Sequence, residues 1–87
     1  MASKKSIDNA WDKAKPIRGK NPDTWRRDPQ GNKIRKGSYG TQGDYGWELD
    51  HKNPASKGGS DSGRNIQPLH WKENRQKSDE YPYKKKK

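Results

Sequence analysis

In the run Trp47-Glu-Leu-Asp-His51 a carboxylate stands beside an imidazole at the end of a short strand-like stretch. Asn65, Asn74 and Lys77 follow within 26 residues of His51. These residue types suit phosphodiester hydrolysis. An imidazole titrates at about pH 6.5, so His51 can act as a general base toward water. Asp50 Oδ and Asn74 Oδ are two oxygen ligands, a set that fits a hard cation such as Mg²⁺ with several of its waters kept. Such a cation polarises a scissile phosphate and stabilises the oxygen that leaves. Neighbours on a strand project to opposite faces, so the loop after His51 must turn both side chains toward one target.

The pattern around them predicts the elements that do the positioning. Tyr45–Lys52 reads as a strand, with Trp47, Leu49 and His51 on one face and Glu48 and Asp50 on the other. Residues 53–64 read as a loop with Gly58-Gly59 as its sharpest turn. Ile66–Leu69 is a second short strand, and a helix without Gly or Pro runs from about His70 to Glu80, stopped by Pro82. That helix can cross the hairpin and bring Asn74 toward Asp50. Trp71 and Leu69 are expected in the core. His70 is expected to have a structural role at the helix start, and Glu48, on the face of Asp50, is left without a role.

Upstream, Ser6 is a candidate cap for a helix over residues 6–15, with Ile7, Ala10, Trp11 and Ala14 on one apolar face and Pro16 ending it. Asp28-Pro29-Gln30-Gly31 fits a type I turn, which makes residues 24–36 a basic β-hairpin flanked by Trp25 and Ile34. Arg26, Arg27, Lys33, Arg35 and Lys36 ride on it, either as phosphate contacts or as a solvated face. Residues 81–87 read as a flexible basic tail ending in four lysines. The expected organisation is one domain over 1–87, with residues 45–80 as its catalytic part.

Composition limits the alternatives. Only 22% of the 87 residues are hydrophobic, with no Phe, Val or Cys, so the core is small and rests on four Trp, four Ile and two Leu. Without cysteine there is neither a disulfide nor a Cys-ligated zinc. The net charge is +10 and is spread along the chain: 11 Lys/Arg against 5 acids over residues 1–47, and 10 against 6 over 48–87. A polyanion is the natural partner of such a surface. No apolar run reaches the length of a membrane span, and no hydrophobic segment follows the basic start Met1–Ser6, so neither a membrane protein nor a secretory signal is expected and a cytoplasmic location is.

The stretch Leu49–Asp79, "LDHKNPASKGGSDSGRNIQPLHWKENRQKSD", resembles the HNH nuclease motif of the ββα-metal (His-Me finger) fold. The matching parts are Asp50-His51, Gly58-Gly59, Asn65 before an apolar strand, and Asn74 with Lys77 on the helix. His51 and Asn65 are 14 residues apart, and Asn65 and Asn74 are 9. The ending "ENRQKSD" is similar to the corresponding helix of the HNH domain in RNA-guided CRISPR nucleases. The lead-in "WRRDPQGNKIRKGSYG" resembles, more weakly, that of small stand-alone bacterial or phage HNH proteins.

The resemblance implies an α+β fold and a metal-dependent endonuclease that nicks DNA, leaving 5′-phosphate and 3′-hydroxyl ends. It implies His51 as general base, Asp50 and Asn74 as metal ligands, Asn65 as the residue that holds the loop and so orients His51, and Lys77 as a neutraliser of phosphate charge. Arg75 and Lys77 join the hairpin cations as expected DNA contacts. Asn74 replaces the family's third histidine, an H-N-N variant. Ser78 stands where colicin-type members carry another metal-binding histidine. Both departures favour one Mg²⁺ or Mn²⁺, with Ni²⁺ and Zn²⁺ still compatible. His70 and Glu73 stand where many members carry a cysteine pair, so no structural zinc is expected. The expected partner is duplex DNA read with low sequence specificity, or with specificity supplied by a larger complex. The rival class is a basic nucleic-acid-binding module with the fold but not the chemistry. Phage packaging, restriction, mobile-element and toxin roles all remain compatible.

Overall fold

The computed structural model describes residues 3–53 and 63–77. Gly58-Gly59, Ser78, the end of the predicted helix and the lysine tail lie outside the described residues. Helix α1 (Lys4–Lys13) is followed by three short strands, β1 (Lys15–Pro16), β2 (Trp25–Arg27) and β3 (Lys33–Arg35). Strand β4 (Trp47–His51), strand β5 (Ile66–His70) and helix α2 (Trp71–Lys77) follow among the described residues. The class is α+β, with two separate antiparallel sheets, β1-β2-β3 and β4-β5.

Helix α1 starts earlier than a Ser6 cap predicts. Ser3 is the cap: its Oγ accepts from the Ser6 N–H at 3.2 Å, the role short hydroxyl side chains serve at unsatisfied first-turn amides. The helix ends by Lys13 because Lys15 and Pro16 are drawn into a strand against Arg27 and Arg26. Pro16, which has no N–H to donate, sits on the edge strand where none is needed. The predicted hairpin thus gains a third strand. At its turn Gly31 N–H bonds Asp28 C=O at 2.9 Å, and Gly31 has φ +90°, a conformation glycine adopts without a Cβ penalty.

The core is aromatic and is shared between the two halves. Ala10, Trp11, Ala14 and Ile34 meet Trp47 and Ile66, with Ile7, Tyr39 and Leu49 packed at the margin. The Trp11 and Trp47 rings lie 5.4 Å apart, and Tyr39 meets Trp47 edge-on at 5.0 Å. Trp47 is fully buried, and its indole N–H donates to Arg35 C=O at 2.9 Å, so its one polar atom is satisfied. Gly46 precedes it, and a Cβ there would collide with the Thr41 backbone. This close approach lets the 41–46 segment fold beneath β4. Leu69 is buried as expected, whereas Trp71 is only half-buried and its indole N–H reaches out to Gly43 C=O. Trp71 opens a helix that faces β4 through polar side chains, so the core does not extend to it.

Candidate active site

Strands β4 and β5 pair with His51 opposite Ile66, Asp50 opposite Gln67 and Glu48 opposite Leu69. Alternation along β4 sends Trp47 and Leu49 to the core and leaves Glu48 and Asp50 on the other face. Helix α2 lies over that face. Asn74 and Lys77 are three apart, hence on one side of the helix, and they meet residues two apart on the strand. Asn74 Nδ2 donates to Glu48 Oε1 at 2.7 Å, and Lys77 Nζ lies 3.0 Å from Asp50 Oδ1. Helix and strand are therefore joined by two polar rungs.

The second rung is buried: the side chains of Lys77 and Asp50 are 2% and 4% exposed. Lys77 also donates to His51 C=O at 2.9 Å, and Gln67 Nε2 donates to Asp50 Oδ2 at 2.8 Å. An unpaired charge at this depth would be costly, and here each charge has its counter-charge and a further hydrogen bond. Lys77 is thus turned inward onto the acid–histidine pair instead of outward to solvent. His51 is half-buried at the end of β4, and its backbone is held by this lysine. Asn65 ties Lys52 and Asn53, just past β4, to the start of β5. Its Oδ1 accepts from Asn53 N–H at 2.8 Å, its Nδ2 donates to Asn53 C=O at 3.0 Å, and its own C=O accepts from Lys52 N–H at 2.8 Å.

The start of α2 is built from polar groups. His70 Nδ1 accepts from Lys72 N–H at 3.1 Å, so the ring caps the helix. That leaves Nε2 to carry the proton toward Asp44 C=O at 2.7 Å. Asp28, fully buried, accepts from His70 N–H at 2.9 Å and from both the backbone and the side-chain amide of Asn32. Asn32 Nδ2 also reaches Glu73 Oε1 at 3.1 Å. This network ties the hairpin turn to the β5–α2 junction.

The expected DNA contacts separate into two groups. Arg27, Arg35 and Lys36 are exposed, and Lys33 lies over the Trp25 and Tyr45 rings at 4.6 and 5.4 Å. Arg26 points the other way. It donates to Trp11 C=O and Pro22 C=O and stacks over the Trp11 ring at 5.4 Å. Its strand partner is the core residue Ile34, so β-alternation puts it on the inner face. Arg75, though 55% exposed, is clasped by Glu48 in a two-pronged pair at 2.9 and 3.0 Å.

Two participants escaped the sequence. Gln67 became visible only with the β4–β5 register. Glu48 had a legible signal, its spacing of two from Asp50, but nothing local specified its partner on α2.

A metal at this seam would have the Asp50 carboxylate and the Asn74 amide oxygen as donors. Both are hard oxygens, and among the described residues no donor is seen on Asn74 Oδ1. No cluster of three or more His, Cys, Asp or Glu able to hold a metal ion occurs among the described residues. Two hard oxygens suit a hard cation that keeps most of its waters, and Asp50 already carries Lys77 on Oδ1 and Gln67 on Oδ2.

Two antiparallel strands crossed by a helix, with an acid–histidine pair at the end of the first strand, make the ββα arrangement of a nuclease domain. A model of the HNH endonuclease family matches residues 32–80, more than half of the chain, and the chain belongs to that family. No curated protein and no solved structure matches it significantly. No helix among the described residues is long and apolar enough to cross a membrane.

Proposed function

We propose that this chain is a metal-dependent endonuclease that hydrolyses phosphodiester bonds of duplex DNA, one strand per event, in the cytoplasm and with low sequence specificity. The observation that carries the reading is the seam itself. Asp50, the His51 backbone and Asn74 are brought onto one strand–helix face by the Lys77 and Glu48 rungs. His51 takes the proton of the attacking water at its imidazole. Asp50 and Asn74 would hold the divalent metal, Mg²⁺ or Mn²⁺ by the hardness of their oxygens. When bound, that ion supplies the positive charge that polarises the phosphate and stabilises the departing 3′ oxygen. Lys77 serves the site by fixing the Asp50 carboxylate and holding the His51 backbone in register. Asn65 serves it by fixing the loop base. Arg27, Lys33, Arg35 and Lys36 supply phosphate contacts, which carry affinity but little base information.

One observation favours a second reading, a non-catalytic DNA-binding module: Asp50 is already satisfied by Lys77 and Gln67. Nicking of supercoiled plasmid in Mg²⁺, Mn²⁺ and EDTA separates the two. The endonuclease reading expects relaxed circles with metal, none in EDTA and none with His51→Ala. Plasmid bound but intact under every metal would overturn it in favour of the module.

A further inference from the structure

We propose that Glu48 is a positioning residue that sets the orientation of the Asn74 amide, so that Oδ1 and not Nδ2 is presented to the metal. The proposal rests on the endonuclease reading above. A primary amide has two ends of nearly the same shape and opposite polarity: an oxygen that only accepts and an NH₂ that only donates. A cation can be held by the first and is repelled by the second. An asparagine on an open helix face can turn either end toward a neighbour, and half of its rotations would be useless as a ligand.

At Asn74 the choice is made by its neighbour. Glu48 Oε1 accepts from Nδ2 at 2.7 Å, a short charge-assisted bond. Reversing the amide would set Oδ1 against a carboxylate oxygen, with no proton between them. Glu48 is itself held. Arg75 grips Oε1 and Oε2 through Nη1 and Nη2 at 2.9 and 3.0 Å, the planar fork that matches a carboxylate. Arg75 is mostly exposed, so this pair adds little to stability. Its effect is geometric, because it fixes the plane of the carboxylate that Asn74 reads. Adjacent residues of one helix, Asn74 and Arg75, thus share one acid on β4, two positions before Asp50. Both acids on this face are paired, Glu48 with Arg75 and Asp50 with Lys77.

Mn²⁺ titration by calorimetry of the full chain in the absence of DNA tests this, with wild type, Glu48→Ala, Glu48→Gln, Asn74→Ala and the Glu48→Ala/Asn74→Ala double variant. Glu48→Ala should weaken Mn²⁺ binding by about 10- to 100-fold, the usual effect of removing a partner that orients a ligand. Glu48→Gln should recover most of that loss, because its amide oxygen can still accept from Asn74 Nδ2. The double variant should bind no more weakly than Asn74→Ala alone, since an orienting residue has nothing to orient once the ligand is gone. Equal losses in Glu48→Gln and Glu48→Ala, or additive losses in the double variant, would overturn the proposal and make Glu48 an independent ligand. Unchanged affinity in Glu48→Ala, with binding abolished by Asp50→Ala, would overturn the positioning role and leave the endonuclease reading intact. Absence of Mn²⁺ binding in wild type would remove both.

Discussion

The two halves of the chain bury different things. The N-terminal half, α1 with the β1-β2-β3 sheet, buries Ala10, Trp11, Ala14 and Ile34, and among its charged side chains only Asp28 is fully buried. The β4-β5-α2 half contributes Trp47, Ile66 and Leu69, but it also buries Asp50, His70, Glu73 and Lys77. The strand–helix seam is polar on the helix side, where Asn74 meets Glu48 and Lys77 meets Asp50. It therefore cannot provide its own hydrophobic support. That support comes from the other face of the hairpin, where α1 packs Trp11 onto Trp47 and Lys13 Nζ donates to Ile66 C=O at 2.7 Å. The N-terminal half works as the scaffold that lets the β4-β5-α2 half keep its helix contacts polar.

The comparison breaks most sharply at the scaffold. Trp11→Ala should cost about 3–5 kcal/mol, the usual penalty for truncating a buried tryptophan. Total stability in a domain this small is of similar size, so thermal melts should show the variant largely unfolded at 25 °C. A cooperative melt near the wild-type temperature would mean the ββα unit stands without α1.

The buried ion pair should come next. Asp50→Ala leaves Lys77 charged and unpaired, and Lys77→Ala does the same to Asp50. Each should cost about 3 kcal/mol in metal-free buffer. The double variant should cost clearly less than the sum, because neither charge is then left alone. Urea denaturation in EDTA measures all three, and strict additivity would show that the pair is not coupled.

His51→Ala should divide activity from structure. Turnover should fall by about 100-fold or more, the range for loss of a positioned general base. The melting temperature and Mn²⁺ affinity should stay near wild type, because Lys77 holds His51 through its backbone carbonyl, which the substitution keeps. Nicking rates beside melts check this, and a wild-type nicking rate would remove His51 from the chemistry.

The smallest effect lies at alkaline pH, where the scaffold and the seam meet at Tyr39. Burial, and then the negative charge of Glu48, push the Tyr39 phenol above its ordinary value of 10.0. The folded state thus holds this proton more tightly than the unfolded chain. Its contribution is complete below pH 10 and is lost as pH rises through the folded value. Lys13 acts with opposite sign. Burial, and then Lys52, hold it below its ordinary 10.5, so the folded state is relieved of a cost as pH approaches that value. Tyr39→Phe should therefore flatten the fall in stability above pH 10 and leave neutral stability almost unchanged, as read from urea midpoints across that window. An identical alkaline decline in wild type and variant would assign it to other groups.

Much of this was legible in the chain itself. The apolar spacing of Ile7, Ala10, Trp11 and Ala14 marked a packing helix, and Asp28-Pro29-Gln30-Gly31 marked its turn. The two strands and the helix around Asp50 and His51 are marked by alternation and by a run without Gly or Pro. These features are local: turn chemistry, alternation and helical period act over a few residues and need no distant partner. Helix ends were less legible, because Ser3 and Ser6 are both able to cap the start, and at the other end Lys15 and Pro16 are drawn into a strand.

The partners of the charged side chains were decided only in three dimensions. By sequence Lys77 and Arg75 read alike, as cations for phosphate; in the fold one is buried on Asp50 and the other clasps Glu48. Arg26 and Arg27 are adjacent, yet one caps and covers Trp11 while the other faces solvent. Asp28 read as a turn residue and proved to be the buried link to His70, 42 positions away. The composition alone makes the chain basic and its core aromatic. A charged side chain, however, takes the partner that burial brings to it, and burial is settled by which distant segments pack together, a property that local spacing does not encode.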